Sequence, residues 1–290
     1  MQPEATDQSA ALPSFDSRSL RKNKLVVVAL VVFAAIALSA IFADVAAPFD
    51  PYKSAISLRN SPPGTASPDG GFPHVLGTDP LGRDVLSRII FGGRISLLVG
   101  LLSVLVSGTF GFTMGLLSGY FGGKADNVIM RLVDFQMSMP SLLIALFVLY
   151  VLGPSLLNVI LVLAVTRWMV YARVTRGMML TLRHELFVEA SRALGASHLR
   201  TIFRHMVPNL IAPIMVLATL ELAIMLLTEA SLSFLGLGIQ PPLSSWGLML
   251  AQGREYLTTA WWLVAMPGIA ILVTTLSVNL IATWLRVSTR

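Results

Sequence analysis

Three ionisable residues stand inside apolar runs long enough to cross a bilayer: Arg167, Glu221 and Glu229. A charge at mid-bilayer costs about 2.5–3.5 kcal/mol on insertion scales, so each side chain should face protein or water. One interpretation is a water-filled translocation path that solvates them. The other is a buried ion pair or a hydrogen bond to a neighbouring helix. On a regular helix Glu221 and Glu229 differ by about 80° in direction and roughly 12 Å in height, so the two need not share a site.

A second candidate site is the stretch 189–208, which reads EASRALGASHLRTIFRHMVP and is basic and amphipathic. Apolar and small residues recur there at helical spacing: Leu186, Ala190, Ala193 and Leu194. Gly195 can end this first helix. Ser197 can cap a second helix over 198–206, which carries Arg200. Two such helices along a membrane would offer a docking surface, and the alternative is a helix that lies on anionic lipid.

The sequence holds no constellation for catalysis or metal binding. His184 and Glu185 match the first two residues of the zinc-protease motif His-Glu-x-x-His, but Val188 stands where the second zinc-binding His would be needed. The four His residues are scattered and the chain has no Cys, so neither a zinc site nor a disulfide is expected. A Gly-Lys-Ser/Thr nucleotide motif is missing, so any ATP hydrolysis must be supplied by another chain. We predict no catalytic residue, no metal site and no cofactor in this chain.

The elements that must position these residues are membrane helices. Of the 290 residues 55% are hydrophobic and only 12% are charged, which is typical of an integral membrane protein. At about 20 apolar residues per span, the sequence predicts six transmembrane helices in one all-α domain. The predicted helices cover 25–47, 95–115, 132–151, 158–179, 210–232 and 261–285. The last five form a core over 95–285.

The distribution of Lys and Arg predicts the orientation of these helices. With the N-terminus inside, the cytoplasmic segments hold 14 of the 21 Lys and Arg residues, and the outer segments hold six. The positive-inside rule then places the tails 1–24 and 286–290 and the loop 183–208 in the cytoplasm. The segment 48–94 lies outside. The net charge of +6 is therefore a topology signal, and nucleic-acid binding is not expected.

Small residues and a proline predict details of the second and third helices. The second helix carries small residues at strict four-residue spacing: Ser107, Gly111, Gly115 and Gly119. They form one stripe that a neighbouring helix can approach closely. Glycines also punctuate two short amphipathic segments before this helix: Gly77, Gly82, Gly92 and Gly93. In the third helix Pro140 predicts a kink.

The stretch 189–208 resembles the cytoplasmic coupling loop of permease subunits in binding-protein-dependent ABC importers. It begins with Glu189, Ala190 and a small residue, reaches Gly195, and ends at Pro208 before a new apolar run. Further stretches resemble dipeptide, oligopeptide and nickel permeases: 77–100, 119–134 and 229–247. The resemblance extends over about 73–279.

The chain departs from the family pattern at three places. Ser191 stands where the family usually has Ala, and Met206-Val207-Pro208 replaces Ile-Leu-Pro. Both changes conserve the size of the side chains approximately. After Asn279 the chain reads Leu-Ile-Ala-Thr-Trp-Leu-Arg and lacks the family's Gly-Asp. We therefore carry no family role over to the C-terminal tail.

The resemblance implies the type I ABC importer permease fold, as in the methionine and maltose importers. It also implies partners: a homologous permease, two cytosolic ATPase subunits that bind ATP and Mg²⁺, an extracytoplasmic solute-binding protein and the surrounding lipid. The residues it assigns to ATPase coupling are Glu189, Ala190, Ser191, Ala193, Leu194, Gly195 and Arg200.

On this resemblance we expect a transport subunit rather than an enzyme, located in the bacterial cytoplasmic membrane. Its expected cargo is dipeptides or oligopeptides delivered by the solute-binding protein. Nickel chelates, glutathione-like peptides and opines are alternative cargoes within the same family. An alternative of another class is a stand-alone proton-coupled transporter that uses Glu221 as the proton carrier.

Overall fold

The computed structural model describes residues 23–68 and 70–288, and its regular elements are helices. In chain order the α-helices are α1 (Lys24–Ile41), α2 (Ala43–Ala46), α3 (Val85–Phe121), α4 (Gly123–Met137), α5 (Ser141–Leu152), α6 (Leu156–Leu182), α7 (Leu186–Ala193), α8 (His198–Arg200), α9 (Val207–Phe234), α10 (Trp246–Gly253) and α11 (Trp262–Ser288). A π-helix, Thr201–Met206, joins α8 to α9. Within the described ranges the prediction of an all-α chain is confirmed. Most of the two predicted tails, 1–24 and 286–290, lies outside them.

The six predicted spans correspond to five long apolar helices and one broken pair. The long helices are α1, α3, α6, α11 and the continuous stretch His198–Phe234 that contains α9. The pair is α4 and α5, whose axes differ by 87°. The prediction of one kinked helix over 132–151 was therefore wrong. Pro140 starts a new helix, because its carbonyl accepts hydrogen bonds from the N–H groups of Leu143 and Ile144 at 3.0 and 3.2 Å.

The second span begins earlier than predicted. α3 starts at Val85, where Asp84 caps it by accepting a 2.7 Å hydrogen bond from the Ser87 N–H. Gly92 and Gly93 do not separate amphipathic segments but lie inside this helix. A Cβ built on either glycine would lie 3.3 or 3.0 Å from the Trp246 ring, so both leave room for that side chain. The segment ahead of α3 is shorter than predicted.

The small-residue stripe of α3 faces α6. For Gly111, Gly115 and Gly119 in turn, the nearest α6 atom to a built Cβ is the Trp168 carbonyl oxygen at 2.2 Å, the Ala172 carbonyl oxygen at 2.6 Å and the Met179 Cβ at 2.5 Å. No side chain larger than hydrogen fits at such distances without a shift of the backbone. Ser107 is buried on the same stripe and donates a 3.3 Å hydrogen bond to the Val104 carbonyl. α3 and α6 are therefore held in close backbone contact over about two turns.

The remaining long helices pack around this pair. α11 contacts both α9 and α1, and α9 also contacts α3 and α6. A buried apolar core lies where α3, α5, α6 and α9 meet, and it includes Val99, Leu149, Leu163 and Met225. The helices that carry Arg167 and Glu221 are thus neighbours in the bundle.

Candidate functional site

The loop between α6 and α9 contains two short helices separated by a sharp turn. α7 ends in a Schellman motif: the Ala196 N–H donates to the Ser191 carbonyl at 3.1 Å, and the Gly195 N–H donates to the Arg192 carbonyl at 2.9 Å. Gly195 has a φ of 80°, a conformation that side chains with a Cβ rarely adopt. Ser197 then caps the next helix by accepting a 3.4 Å hydrogen bond from the Arg200 N–H. The turn and the cap stand where the sequence predicts them.

The second helix of this loop differs from the predicted one over 198–206. Only α8 is α-helical, and the π-helix Thr201–Met206 continues from it directly into α9. Pro208 therefore does not close the loop. It lies in the first turn of α9, directly after the π-helix. The loop is connected to the fifth span by continuous helix rather than by a break.

One face of the loop is exposed and the other is buried. Leu186 and Leu194 have exposed fractions of 82% and 89%. Leu194 belongs to the predicted coupling set, whose other exposed members are Glu189, Ala190, Ala193, Gly195 and Arg200. Ser191 points inward beside Val188, which is fully buried. The surface that the chain leaves open therefore combines large apolar side chains with basic ones.

The buried face of the loop rests on the ends of α3, α6 and α9. Val188, Ile202 and Met206 form one apolar cluster with residues of the neighbouring helices: Leu116, Tyr120, Met179 and Leu210. Polar contacts also hold the loop against the bundle. Tyr120 shares a 2.8 Å hydrogen bond with His198 Nδ1, and the Arg192 guanidinium lies 5.0 Å above the Tyr120 ring. The short helices are thus held against the bundle.

Arg167 and Glu221 form a bidentate ion pair between α6 and α9. Arg167 Nε donates to Glu221 Oε2 at 2.7 Å, and Nη2 donates to Oε1 at 2.5 Å. The Glu221 side chain is 3% exposed and that of Arg167 is 20% exposed. The charge of Glu221 is therefore neutralised by a partner 54 residues away along the chain. A proton carrier would need a carboxylate open to water, and this geometry does not favour that alternative.

Glu229 occupies a separate buried site in which its carboxylate accepts three hydrogen bonds. Ser233 and Ser245 donate to Oε1 at 2.7 and 2.8 Å, and Ser96 donates to Oε2 at 3.4 Å. Ser96 also accepts from the Trp246 N–H at 3.2 Å. The cluster joins α3, α9 and the start of α10. These hydrogen bonds hold the segment between α9 and α10 against α3. The Glu229 carboxylate does not line an open cavity.

The sequence analysis did not identify the serine partners of Glu229 or a second ionic cluster. In that cluster Asp126 of α4 accepts from Arg176 Nε and Nη2 at 2.5 and 2.6 Å and from Ser118 Oγ at 2.5 Å. The only sequence signal was Ser233, one turn after Glu229, and a serine at that spacing is too common to be specific. Among the described residues no group of three or more His, Asp or Glu side chains could hold a metal ion.

Comparison with known protein families matches most of this chain. Residues 111–290 match the model of the binding-protein-dependent transport system inner membrane component, and residues 17–63 match the N-terminal transmembrane domain of oligopeptide transport permease C. A di/tripeptide transport system permease from Pseudomonas aeruginosa is 41% identical over 97% of this chain and 94% of its own length. A glutathione transport system permease from Pectobacterium atrosepticum is 38% identical over 98% of this chain and 93% of its own.

Solved structures of low sequence identity share the fold. A methionine ABC transporter in an inward-facing conformation superposes with a TM-score of 0.53 at 19% identity, over 70% of this chain and 97% of the other. An amino acid ABC transporter gives a TM-score of 0.54 at 17% identity, over 68% of this chain and 92% of the other. The resemblance noted in the sequence and the expected permease fold are confirmed. The chain belongs to the family of inner membrane permease components of binding-protein-dependent ABC importers.

Proposed function

We propose that this chain is the permease subunit of an importer for short peptides, with its coupling loop, 183–208, docked on a cytosolic ATPase. The full assembly would contain this chain, a homologous permease, two ATPase subunits that bind ATP and Mg²⁺, and an extracytoplasmic solute-binding protein. Both termini would lie in the cytoplasm of a bacterial cell, as the distribution of Lys and Arg favours. Alternating access would follow from motions of the helices that the loop joins.

The exposed face of the coupling loop is the observation that carries this proposal. Leu186, Leu194 and Leu199 are 82%, 89% and 69% exposed, although the loop is rich in polar residues and lies at the end of the bundle. Large apolar side chains surrounded by polar ones are typical of a protein-binding surface. Ala190 and Ala193 leave the exposed side of α7 smooth enough to enter a groove. A docked subunit would cover these residues.

The cargo is inferred from relatives. The di/tripeptide permease shares 41% of residues across nearly the whole chain, and the glutathione permease shares 38%. Both names describe short peptides, so a cargo of that size and backbone chemistry fits both relatives. Nickel chelates and opines remain the less supported cargoes.

The docking proposal is tested with Ala190→Asp in the complete importer. A carboxylate at this position would lose its water on docking, so ATPase subunits recovered with a tagged permease should fall at least tenfold, roughly 1.4 kcal/mol or more. Uptake of a labelled dipeptide should fall equally. Ala66→Asp, at an exposed alanine before α3, is the matched control and should change neither. Normal recovery and uptake for Ala190→Asp would show that the ATPase docks elsewhere.

A second variant tests the shape of the loop rather than its surface. Gly195 and Gly71 both have open space around a built Cβ, but only Gly195 has a positive φ. Gly195→Val should therefore strain the turn by about 1–3 kcal/mol, tilt α7 and weaken ATPase recovery. Gly71→Val should leave recovery and uptake unchanged. Equal behaviour of the two variants would contradict a role for the turn in docking.

A further inference from the structure

Tyr120 contacts both sides of the turn in the coupling loop. It stands in the last turn of α3 and is 6% exposed. Its hydroxyl shares the 2.8 Å hydrogen bond with His198 of α8, and its ring meets the His198 ring edge-on at a centroid distance of 5.7 Å. The Arg192 guanidinium of α7 lies 5.0 Å from the centre of the same ring. One side chain thus touches the helix before Gly195 and the helix after it.

The base of Tyr120 is fixed to the bundle. The preceding residue, Gly119, packs its backbone against Met179 and Arg176 of α6. One residue further back, Ser118 donates to Asp126, which also binds Arg176. The end of α3 therefore cannot move without α6 and the start of α4. A displacement of Tyr120 is a displacement of this whole group of helices.

The other contacts of the loop with the bundle differ in kind. Val188, Ile202 and Met206 rest on apolar neighbours, and such contacts tolerate sliding because they are not directional. The hydrogen bond to His198 and the cation–π contact with Arg192 require a defined geometry. Among the contacts between the loop and the bundle, those of Tyr120 set the position of the loop relative to α3.

We propose that Tyr120 is the positioning residue through which motion of the coupling loop reaches α3 and α6. When a docked ATPase displaces α7 and α8, the bond to His198 and the contact with Arg192 carry that displacement to the end of α3. Without them the loop can slide over its apolar seat while the helices stay in place. ATP hydrolysis then continues but imports less peptide. This inference rests on the proposed docking of the loop.

The test uses Tyr120→Phe in the complete importer reconstituted in proteoliposomes. This variant keeps the ring and removes only the hydroxyl. We expect the number of peptides imported per ATP hydrolysed to fall about fivefold, which corresponds to about 1 kcal/mol for one hydrogen bond. Recovery of ATPase subunits should not change. Tyr150→Phe, at a residue that is 78% exposed, makes the same chemical change and should leave the import ratio unchanged.

A double-mutant cycle identifies the partner. His198→Phe also keeps a ring and removes the hydrogen bond, so alone it should lower the ratio about fivefold. Combined with Tyr120→Phe it should cause no further loss, because both changes remove one bond. Additive losses would mean that the two residues act separately and would overturn the proposal.

A spectroscopic measurement separates positioning from general stability. The chain has no Cys, so Phe203→Cys, at an exposed residue not assigned to the docking face, provides one attachment point for a spin label in the loop. Tyr120→Phe should increase the mobility of this label, and Tyr150→Phe should not. Unchanged mobility and import ratio for Tyr120→Phe would overturn the role of Tyr120. If Ala190→Asp also leaves ATPase recovery unchanged, the proposed function fails as well, so the two failures are distinguishable.

Discussion

At the residue scale, the ion pair of Arg167 and Glu221 shows how this bundle accommodates charged side chains: each charge neutralises the other. Two hydrogen bonds join the side chains, and the carboxylate is almost completely buried. Removing one partner of such a pair leaves an uncompensated charge, which costs more than removing both. We therefore expect a single substitution to destabilise the protein more than the double substitution does.

We expect Glu221→Gln to lower the thermal unfolding temperature of the complex, because Arg167 loses its counter-charge. The loss should be about 3 kcal/mol, or roughly 6 °C or more. Arg167→Gln combined with Glu221→Gln should recover most of it. Unfolding in detergent, followed by intrinsic fluorescence, measures both. Equal destabilisation in the single and double variants would show that the charges do not depend on each other.

Peptide uptake by the same double variant tests the translocation path. If the pair is structural, the double variant should transport normally once its stability is recovered. Loss of uptake in a stable double variant would place the pair on the path of the substrate. Glu229 is not expected to act there, since three serine hydroxyls already occupy its carboxylate.

The sequence located these charged residues but could not choose their partners. A charge inside a membrane span must be compensated, and that argument holds for any helix. The partner depends on which helices become neighbours, and Arg167 lies 54 residues before Glu221. The serines around Glu229 gave no stronger signal, because Ser is common on membrane helices and only packing brought Ser96 and Ser245 to one carboxylate.

At the element scale, the contact between α3 and α6 depends on the absence of Cβ atoms. Gly108 and Gly111 lie one turn apart on α3, but they differ in the space available. A Cβ built on Gly108 meets the Tyr171 ring at an ordinary 3.5 Å, whereas one on Gly111 meets the Trp168 carbonyl oxygen at 2.2 Å. Adding one methyl group at each position therefore compares a tight contact with an open one on the same helix.

We expect Gly111→Ala to force α3 and α6 apart, with a loss of roughly 1–3 kcal/mol in stability and a smaller yield of assembled importer. Gly108→Ala should cost less than about 0.5 kcal/mol. Thermal unfolding temperature and the fraction assembled on size-exclusion chromatography measure the difference. Similar values for the two variants would contradict the close contact.

Features of the helices that depend on nearby residues could be predicted from the sequence, and features that depend on distant residues could not. The stripe spacing and the turn at Gly195 follow from rules within one or two turns of helix, and both lie where the sequence predicts them. The uninterrupted course of α3 through Gly92 and Gly93 could not be predicted, because Trp246, which fills the space beside them, is distant in the sequence. Pro140 indicated a disturbance, but the 87° angle depends on the packing of α5 against α6.

At the scale of the whole molecule, α4 and α5 do not form one continuous helix long enough to cross a bilayer. α5 has 12 residues and is about 18 Å long, which is shorter than the hydrocarbon core of about 30 Å. α4 lies across its direction. An apolar groove beside the break is lined by Leu132, Phe135, Met139, Leu143, Phe147 and Trp168. A single copy exposes this irregular region.

We expect the chain to be recovered stably only together with a second permease and two ATPase subunits. Expressed alone, it should unfold at a lower temperature and aggregate in detergent, because the groove and the coupling loop stay uncovered. Co-expression followed by native mass determination measures the composition. Peptide transport by the purified chain alone, driven by a proton gradient, would contradict this expectation and the proposed function together.

The length of α3 has a mechanical consequence. Its 37 residues extend about 56 Å, nearly twice the hydrocarbon thickness, with Arg88 near one end and Tyr120 near the other. A rotation of roughly 5° about the midpoint moves each end by about 2.4 Å. That displacement approaches the length of a hydrogen bond. This helix can therefore act as a lever arm: a rotation small enough for the apolar packing at its centre to follow is large enough to make or break polar contacts at both of its ends.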